Sequence, residues 1–103
     1  MTQFELDEVA VDRFRLSGEL DMASAPTLEE ALRPVVDACK RLTLDLEDVT
    51  FLDSSGIRAL VQLAGRLDGS APLVLTNVPD GVRRLLDIVG LDTLPNIEVR
   101  GDG

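Results

Sequence analysis

Apolar and polar positions alternate at period two through "FELDEVAVDRFRLSGELD", with Phe4 and Leu6, then Phe14 and Leu16, on the apolar side. The pattern predicts two strands in a hairpin that turns near Ala10–Asp12, with Gly18 closing the second. The period then changes. In "APTLEEALRPVVDACK", Leu28, Ala31, Leu32, Val35 and Cys39 recur at the spacing of one helical face. Thr27 and Glu30 have capping-box spacing, with Pro26 just before them. Pro34 conflicts with an unbroken helix, since an interior proline removes a hydrogen bond and crowds the preceding turn at about 3 kcal/mol. A kink near Arg33 or a shifted helix start is therefore expected.

The alternation returns in "RLTLDLEDV", a third strand. "SGIRALVQLAGRL" predicts a second helix with Ile57, Leu60, Val61, Ala64 and Leu67 on one face. "APLVLTNV" reads as a fourth strand. "DGVRRLLDIVG" reads as a third helix, capped by Asp80, lined by Val82, Leu85, Leu86 and Val89, and ended by Gly90. "NIEVR" makes a short last strand. The order ββαβαβαβ implies an α/β fold with a mostly parallel sheet and right-handed crossovers. A fully covered parallel sheet has strands apolar on both sides. Here the second and third strands alternate, so helices are expected mainly on one face. One domain over 1–103 is expected from the length and the absence of any linker or repeat.

Composition narrows the chemistry. There is no histidine, which excludes a Ser-His-Asp triad and any His-based zinc site. The single cysteine, Cys39, has no intramolecular disulfide partner and falls on an apolar helical face, where it reads as a small buried hydrophobe. No apolar run approaches the ~20 residues that cross a bilayer. The opening "MTQFELDEVA" has neither the basic start nor the apolar block of a signal peptide, so a cytoplasmic location is expected. The formal charge of −9 is uneven: residues 1–53 carry 13 acidic and 5 basic side chains, residues 54–103 carry 6 and 5. Such a surface repels nucleic acid and anionic membrane. It suits a basic protein partner, although solubility alone would explain it as well.

Open parallel sheets present function at the carboxyl ends of their strands. If the second and third strands are neighbours, Glu19, Asp21 and Asp53 gather near Ser54 and Ser55. Capping explains Asp and Ser before a helix, and Gly56 permits a tight entry. Yet a cap needs one such oxygen and "DSS" offers three. A phosphorylatable serine is the functional alternative: a phosphate adds about −1.5 to −2 charges and could be held by the free N–H groups of the first turn. The residues by themselves leave cap or switch, and Ser54 or Ser55, undecided. Asp21 with Asp53 reads as two solvated carboxylates rather than a metal site or acid–base pair, and no Walker loop or GxGxxG occurs. No metal, cofactor or enzymatic activity is expected. Arg83 and Arg84 read as the wet face of the third helix. Phe51 and Leu52 read as core residues, though an exposed one could touch a partner.

"LSGELD" at 16–21, "LDLEDVTFLDSSGIRAL" at 44–60 and "DGVRRLLDIVGL" at 80–91 resemble the STAS domain, and more narrowly the stand-alone bacterial anti-sigma factor antagonists. The likeness runs from about Phe4 to Val99, with Pro34 a departure. It implies a βα superhelix with a mixed sheet whose first strand is antiparallel. It also implies a function: binding an anti-sigma factor that is a GHKL-type serine kinase, which releases a sigma factor. Phosphorylation of the first serine of D-S-S-G ends that binding, and a PP2C-type phosphatase reverses it. By position the phosphoacceptor is Ser54. Asp53, Ser55 and Gly56 surround it, and Glu19, Asp21, Ile57 and Arg58 are the implied partner contacts. Two other roles stay compatible with the resemblance: a STAS adaptor that is never phosphorylated, such as a lipid-transport subunit, and a small-ligand or nucleotide sensor.

Overall fold

The computed structural model describes residues 4–67 and 71–100. Its elements are β1 (Glu5–Ala10), β2 (Arg13–Leu20), α1 (Ala25–Cys39), β3 (Leu42–Leu52), α2 (Ser54–Gly65), β4 (Leu73–Thr76), α3 (Asp80–Val89) and β5 (Ile97–Val99), with a 3-10 turn at Leu91–Thr93. The five strands lie in the order β1-β2-β3-β4-β5. β1 is antiparallel to β2 and the other neighbours are parallel. This is the mixed, mostly parallel α/β fold that the alternating pattern implies.

The alternation within strands decides which face is covered. Phe14, Leu16 and Leu20 of β2, Leu42, Leu44 and Leu46 of β3, Leu73 and Leu75 of β4 and Ile97 of β5 are all buried. Their neighbours Arg13, Arg15, Thr43, Asp45, Val74 and Thr76 are exposed or half-buried on the other face. There Arg15 approaches Asp45 at 3.7 Å. Helices therefore cover one side of the sheet. Along β3 the period slips, because its buried positions after Leu46 are Val49 and Leu52. Two register shifts account for this: Arg15 pairs with Asp45 but Ser17 with Asp48, and Gly18 pairs with Val49 but Glu19 with Phe51. Each shift gives β3 one extra residue, as a bulge does, and so returns its apolar side chains to the core. The alternation thus breaks where β3 nears its end, and the strand continues three residues past Val49.

Several sequence expectations shift. Gly18 does not close β2. It sits inside the strand at φ 89, a backbone conformation glycine adopts freely, beside the second register shift. Helix α1 starts at Ala25, with Ser24 and not Thr27 in the capping position, and Pro26 lies in its first turn. α1 runs on through Pro34. Both Pro34 and Glu30, the residue whose carbonyl loses its partner, are exposed, so water can take that bond. The buried face of α1 is Ala25, Leu28, Leu32 and Val36; Ala31 is exposed, and Cys39 is half-buried rather than buried. On α2 the buried set is Gly56, Ala59, Leu60, Leu63 and Ala64, and Ile57 and Val61 are half-buried at its margin. Pro79, not Asp80, occupies the cap position of α3, and Val89 is half exposed. Gly90 ends α3 in the left-handed region, as its position predicts.

One ion pair ties α1 to α2. Arg66 donates from Nε to Asp37 Oδ1 at 3.1 Å and from Nη2 to Oδ2 at 2.6 Å. This fork–fork bond holds the Asp37 carboxyl below the usual carboxylate range. A depressed native pKa stabilises the fold above the unfolded value and is lost as pH falls through the native one. Wild type should therefore melt slightly above Asp37→Asn at pH 6, and the gap should close towards pH 3. Thermal melts across that range check it, and the gap stays small because both groups are exposed.

Candidate functional site at the end of the third strand

β2 and β3 end side by side. Glu19 pairs with Phe51 and Leu20 with Leu52, and the Asp53 N–H donates to the Leu20 carbonyl at 3.3 Å. The loop after β2 is thereby brought against the junction that opens α2. Asp21 and Asp53 thus follow directly on the ends of two neighbouring parallel strands.

Each aspartate has a defined structural task. Asp53, in extended conformation, caps α2: its Oδ1 accepts from the N–H of Ser55 at 2.9 Å and of Gly56 at 3.1 Å. Asp21 does the equivalent for the loop before α1, where Oδ1 accepts from the N–H of Ala23 at 3.0 Å and of Ser24 at 3.2 Å. The buried Ser24 hydroxyl donates to the Glu19 carbonyl at 2.7 Å and accepts from the Asp21 N–H at 2.9 Å, locking the loop. Ser24 was not singled out from the sequence. A lone serine in "DMASAP" gives no periodic signal, and its partners are backbone groups.

Asp53 alone satisfies the two N–H groups, so neither serine is needed as the cap. Among the described residues the hydroxyls of Ser54 and Ser55 have no hydrogen-bond partner. They differ in access: Ser54 is exposed, and Ser55 is half-buried. One expectation needs correction. The N–H groups of Ser55 and Gly56, imagined as holders for a phosphate, are already held by Asp53. An anion on Ser54 would share the helix terminus with a carboxylate.

Gly56 is fixed by space rather than by turn geometry. A Cβ on it would lie 2.6 Å from the Leu20 carbonyl oxygen and 2.6 Å from Leu52 Cδ1. The helix can enter beneath the strand ends only where that side chain is missing. Ile57 is half-buried against the core and Arg58 is exposed. With its amide oriented so that both ends find partners, Gln62 donates to Glu29 Oε1 at 2.7 Å and accepts from Arg58 Nε at 3.2 Å. Arg58 is thus linked through Gln62 to Glu29 of α1. Phe51, read as a core residue, is 46% exposed, whereas Leu52 is buried. Among the described residues no group of three His, Cys, Asp or Glu is placed to hold a metal ion, and no helix is long and apolar enough to cross a membrane.

Known proteins share this fold. The family described as "Mlab, STAS domain" matches residues 5–98. The anti-sigma-B factor antagonist of Bacillus subtilis is 34% identical over 91 residues, covering 85% of this chain and 82% of that protein. The crystal structure of an anti-sigma factor antagonist from Mycobacterium paratuberculosis superposes with a TM-score of 0.77 at 28% identity, covering 95% and 86% of the two chains. SpoIIAA, an anti-sigma factor antagonist, is similar in its unphosphorylated form, with a TM-score of 0.74 and 94% and 87% covered, and in its phosphorylated Bacillus form, with 0.67 and 94% and 90% covered. At 22% and 20% identity these two speak for the fold alone. With the family matched over nearly its whole length and a curated relative above 30% identity, this chain belongs to the STAS domain family, in the group of anti-sigma factor antagonists.

Proposed function

We propose that this chain binds an anti-sigma factor that is also a serine kinase, frees a sigma factor by doing so, and loses that binding when Ser54 is phosphorylated. The observation that carries the reading is the division of labour at the α2 terminus. Asp53 does the capping, and the exposed Ser54 hydroxyl is left without a structural partner. A kinase needs an accessible hydroxyl on a firm backbone, and exposure favours Ser54 over Ser55. The chain would then be substrate and competitor, not catalyst, acting in the cytoplasm with the kinase of GHKL type and a PP2C-type phosphatase resetting it. Glu19, Asp21, Asp53, Ser55, Gly56, Ile57 and Arg58 would form the surface around the switch. Among them, Gly56 and the carboxylate oxygens that cap loops would act by shaping the surface, while Ser54 and Arg58 are the most exposed to a partner.

The test is incubation with the cognate kinase and ATP, followed by mass-spectrometric mapping. One phosphate on Ser54 is expected, and none on Ser54→Ala. Label that persists in Ser54→Ala sinks the assignment. No label on the wild type, with a membrane ATPase recovered as partner, would instead favour a STAS adaptor that is never phosphorylated.

A further inference from the structure

β4 pairs with β3 only over Leu42–Asp45, although β3 runs to Leu52. Among the described residues no strand flanks the last part of β3 on that side, and α3 lies there instead. Between them is a groove of about 440 Å³, walled by Val49, Phe51 and Leu52 from β3 and by Gly81, Val82 and Leu85 from α3. That volume falls within the range of sites that enclose small ligands, roughly 300–1,000 Å³, and it accommodates one large apolar side chain. Its lining is chiefly apolar, and Phe51 at its wall is 46% exposed.

We propose that this groove receives an apolar side chain of the anti-sigma factor, as an anchor beside Ser54. The inference rests on the function proposed above. Continuity along the chain selects the occupant: Phe51 and Leu52 line the groove and lead directly into Asp53 and Ser54, so the groove begins two residues from the proposed switch. An interface typically concentrates its affinity in a few apolar anchors seated in such pockets, with polar contacts around them. On this view Ser54 supplies the switch and the groove supplies the grip.

Gly81 makes the proposal testable. Gly81 lines the groove, a Cβ there meets nothing within 4 Å, and its φ is not positive, so a larger side chain can be placed at the groove's wall without strain at its own Cβ. Affinity for the serine-kinase anti-sigma factor of the same organism is measured by calorimetry for wild type, Gly81→Phe, Phe51→Ala, Ile88→Ser and Ser54→Asp. Gly81→Phe should bind at least tenfold more weakly, with unchanged circular dichroism and melting temperature. Gly81→Leu serves the same purpose if the phenylalanine variant does not fold. Phe51→Ala should lose several-fold, while Ile88→Ser, which alters an exposed α3 side chain not lining the groove, should bind as wild type. If wild type binds, Ser54→Asp does not, and both Gly81 variants bind as wild type, the groove proposal is overturned and the switch stands. If wild type does not bind this factor at all, the functional reading falls and the groove proposal with it. Wild-type dimers that Gly81→Phe dissociates would assign the groove to a second copy and likewise overturn it.

Discussion

Replacing Ser54 by Asp should weaken binding to the unmodified anti-sigma factor by more than tenfold, over 1.4 kcal/mol. Ser54 is the first residue of α2 and is exposed, so the new carboxylate projects towards whatever docks there. It cannot settle onto the N–H groups of Ser55 and Gly56, because Asp53 already holds both. Two carboxylates would therefore stand at one helix terminus, with Asp21 on the adjoining loop. A partner surface fitted to a neutral hydroxyl meets an unpaired charge, and leaving a charge desolvated without a partner is expensive. The isolated protein should not suffer. A negative charge near a helix N-terminus is stabilising by about 0.3–1 kcal/mol, which offsets repulsion from Asp53. The melting temperature should thus stay close to wild type while affinity collapses. Ser54→Asn, neutral and similar in size, should retain most of the affinity and so separate charge from bulk. Equal affinity for Ser54→Asp and wild type would remove the switch.

How much of this was legible in the sequence depends on the range of the interactions. Leu42, Leu44 and Leu46 alternate because each sits on a regular strand with one face covered, a local pattern that needs no partner to be read. The break after Leu46 was not legible, because the two bulges are a relation between β3 and β2. The same holds for the helix faces. Ala31 is as apolar as Ala25, and only the position of the sheet decides that Ala25 is buried and Ala31 wet. Capping is not legible where several polar residues stand close: Ser24, not Thr27, holds the α1 cap position, and its hydroxyl bonds to the Glu19 carbonyl and the Asp21 N–H rather than to a helix N–H. At the candidate site the sequence points to the junction after β3 but not to which of its side chains bond to the helix. "DSSG" presents three oxygens, and geometry is needed to see that Asp53 supplies the cap and that Ser54 stands clear.

Gly56→Ala should destabilise the protein by about 2 kcal/mol, although glycine to alanine within a helix ordinarily gains up to ~1 kcal/mol. The added methyl would stand 2.6 Å from the Leu20 carbonyl oxygen, 2.6 Å from Leu52 Cδ1 and 2.9 Å from Leu20 Cγ. Leu52 can turn aside at modest cost. The carbonyl cannot, since it is backbone at the end of β2 and accepts the Asp53 N–H that joins the two loops. Relief must come from moving α2 away from the strand ends, which opens the core around Leu20, Leu52 and Leu60, all buried. For a domain of about 100 residues each kcal/mol shifts the melting temperature by roughly 4–8 °C, so a fall on the order of 10 °C is expected. Gly65→Ala provides the contrast on the same helix, because a Cβ there meets nothing within 4 Å. It should leave the melting temperature unchanged or raise it slightly. If Gly56→Ala instead melts with Gly65→Ala at or above wild type, the close approach of α2 to the Leu20 carbonyl is wrong. The placement of Ser54 at the strand ends, on which its proposed use as a switch depends, would then be wrong with it.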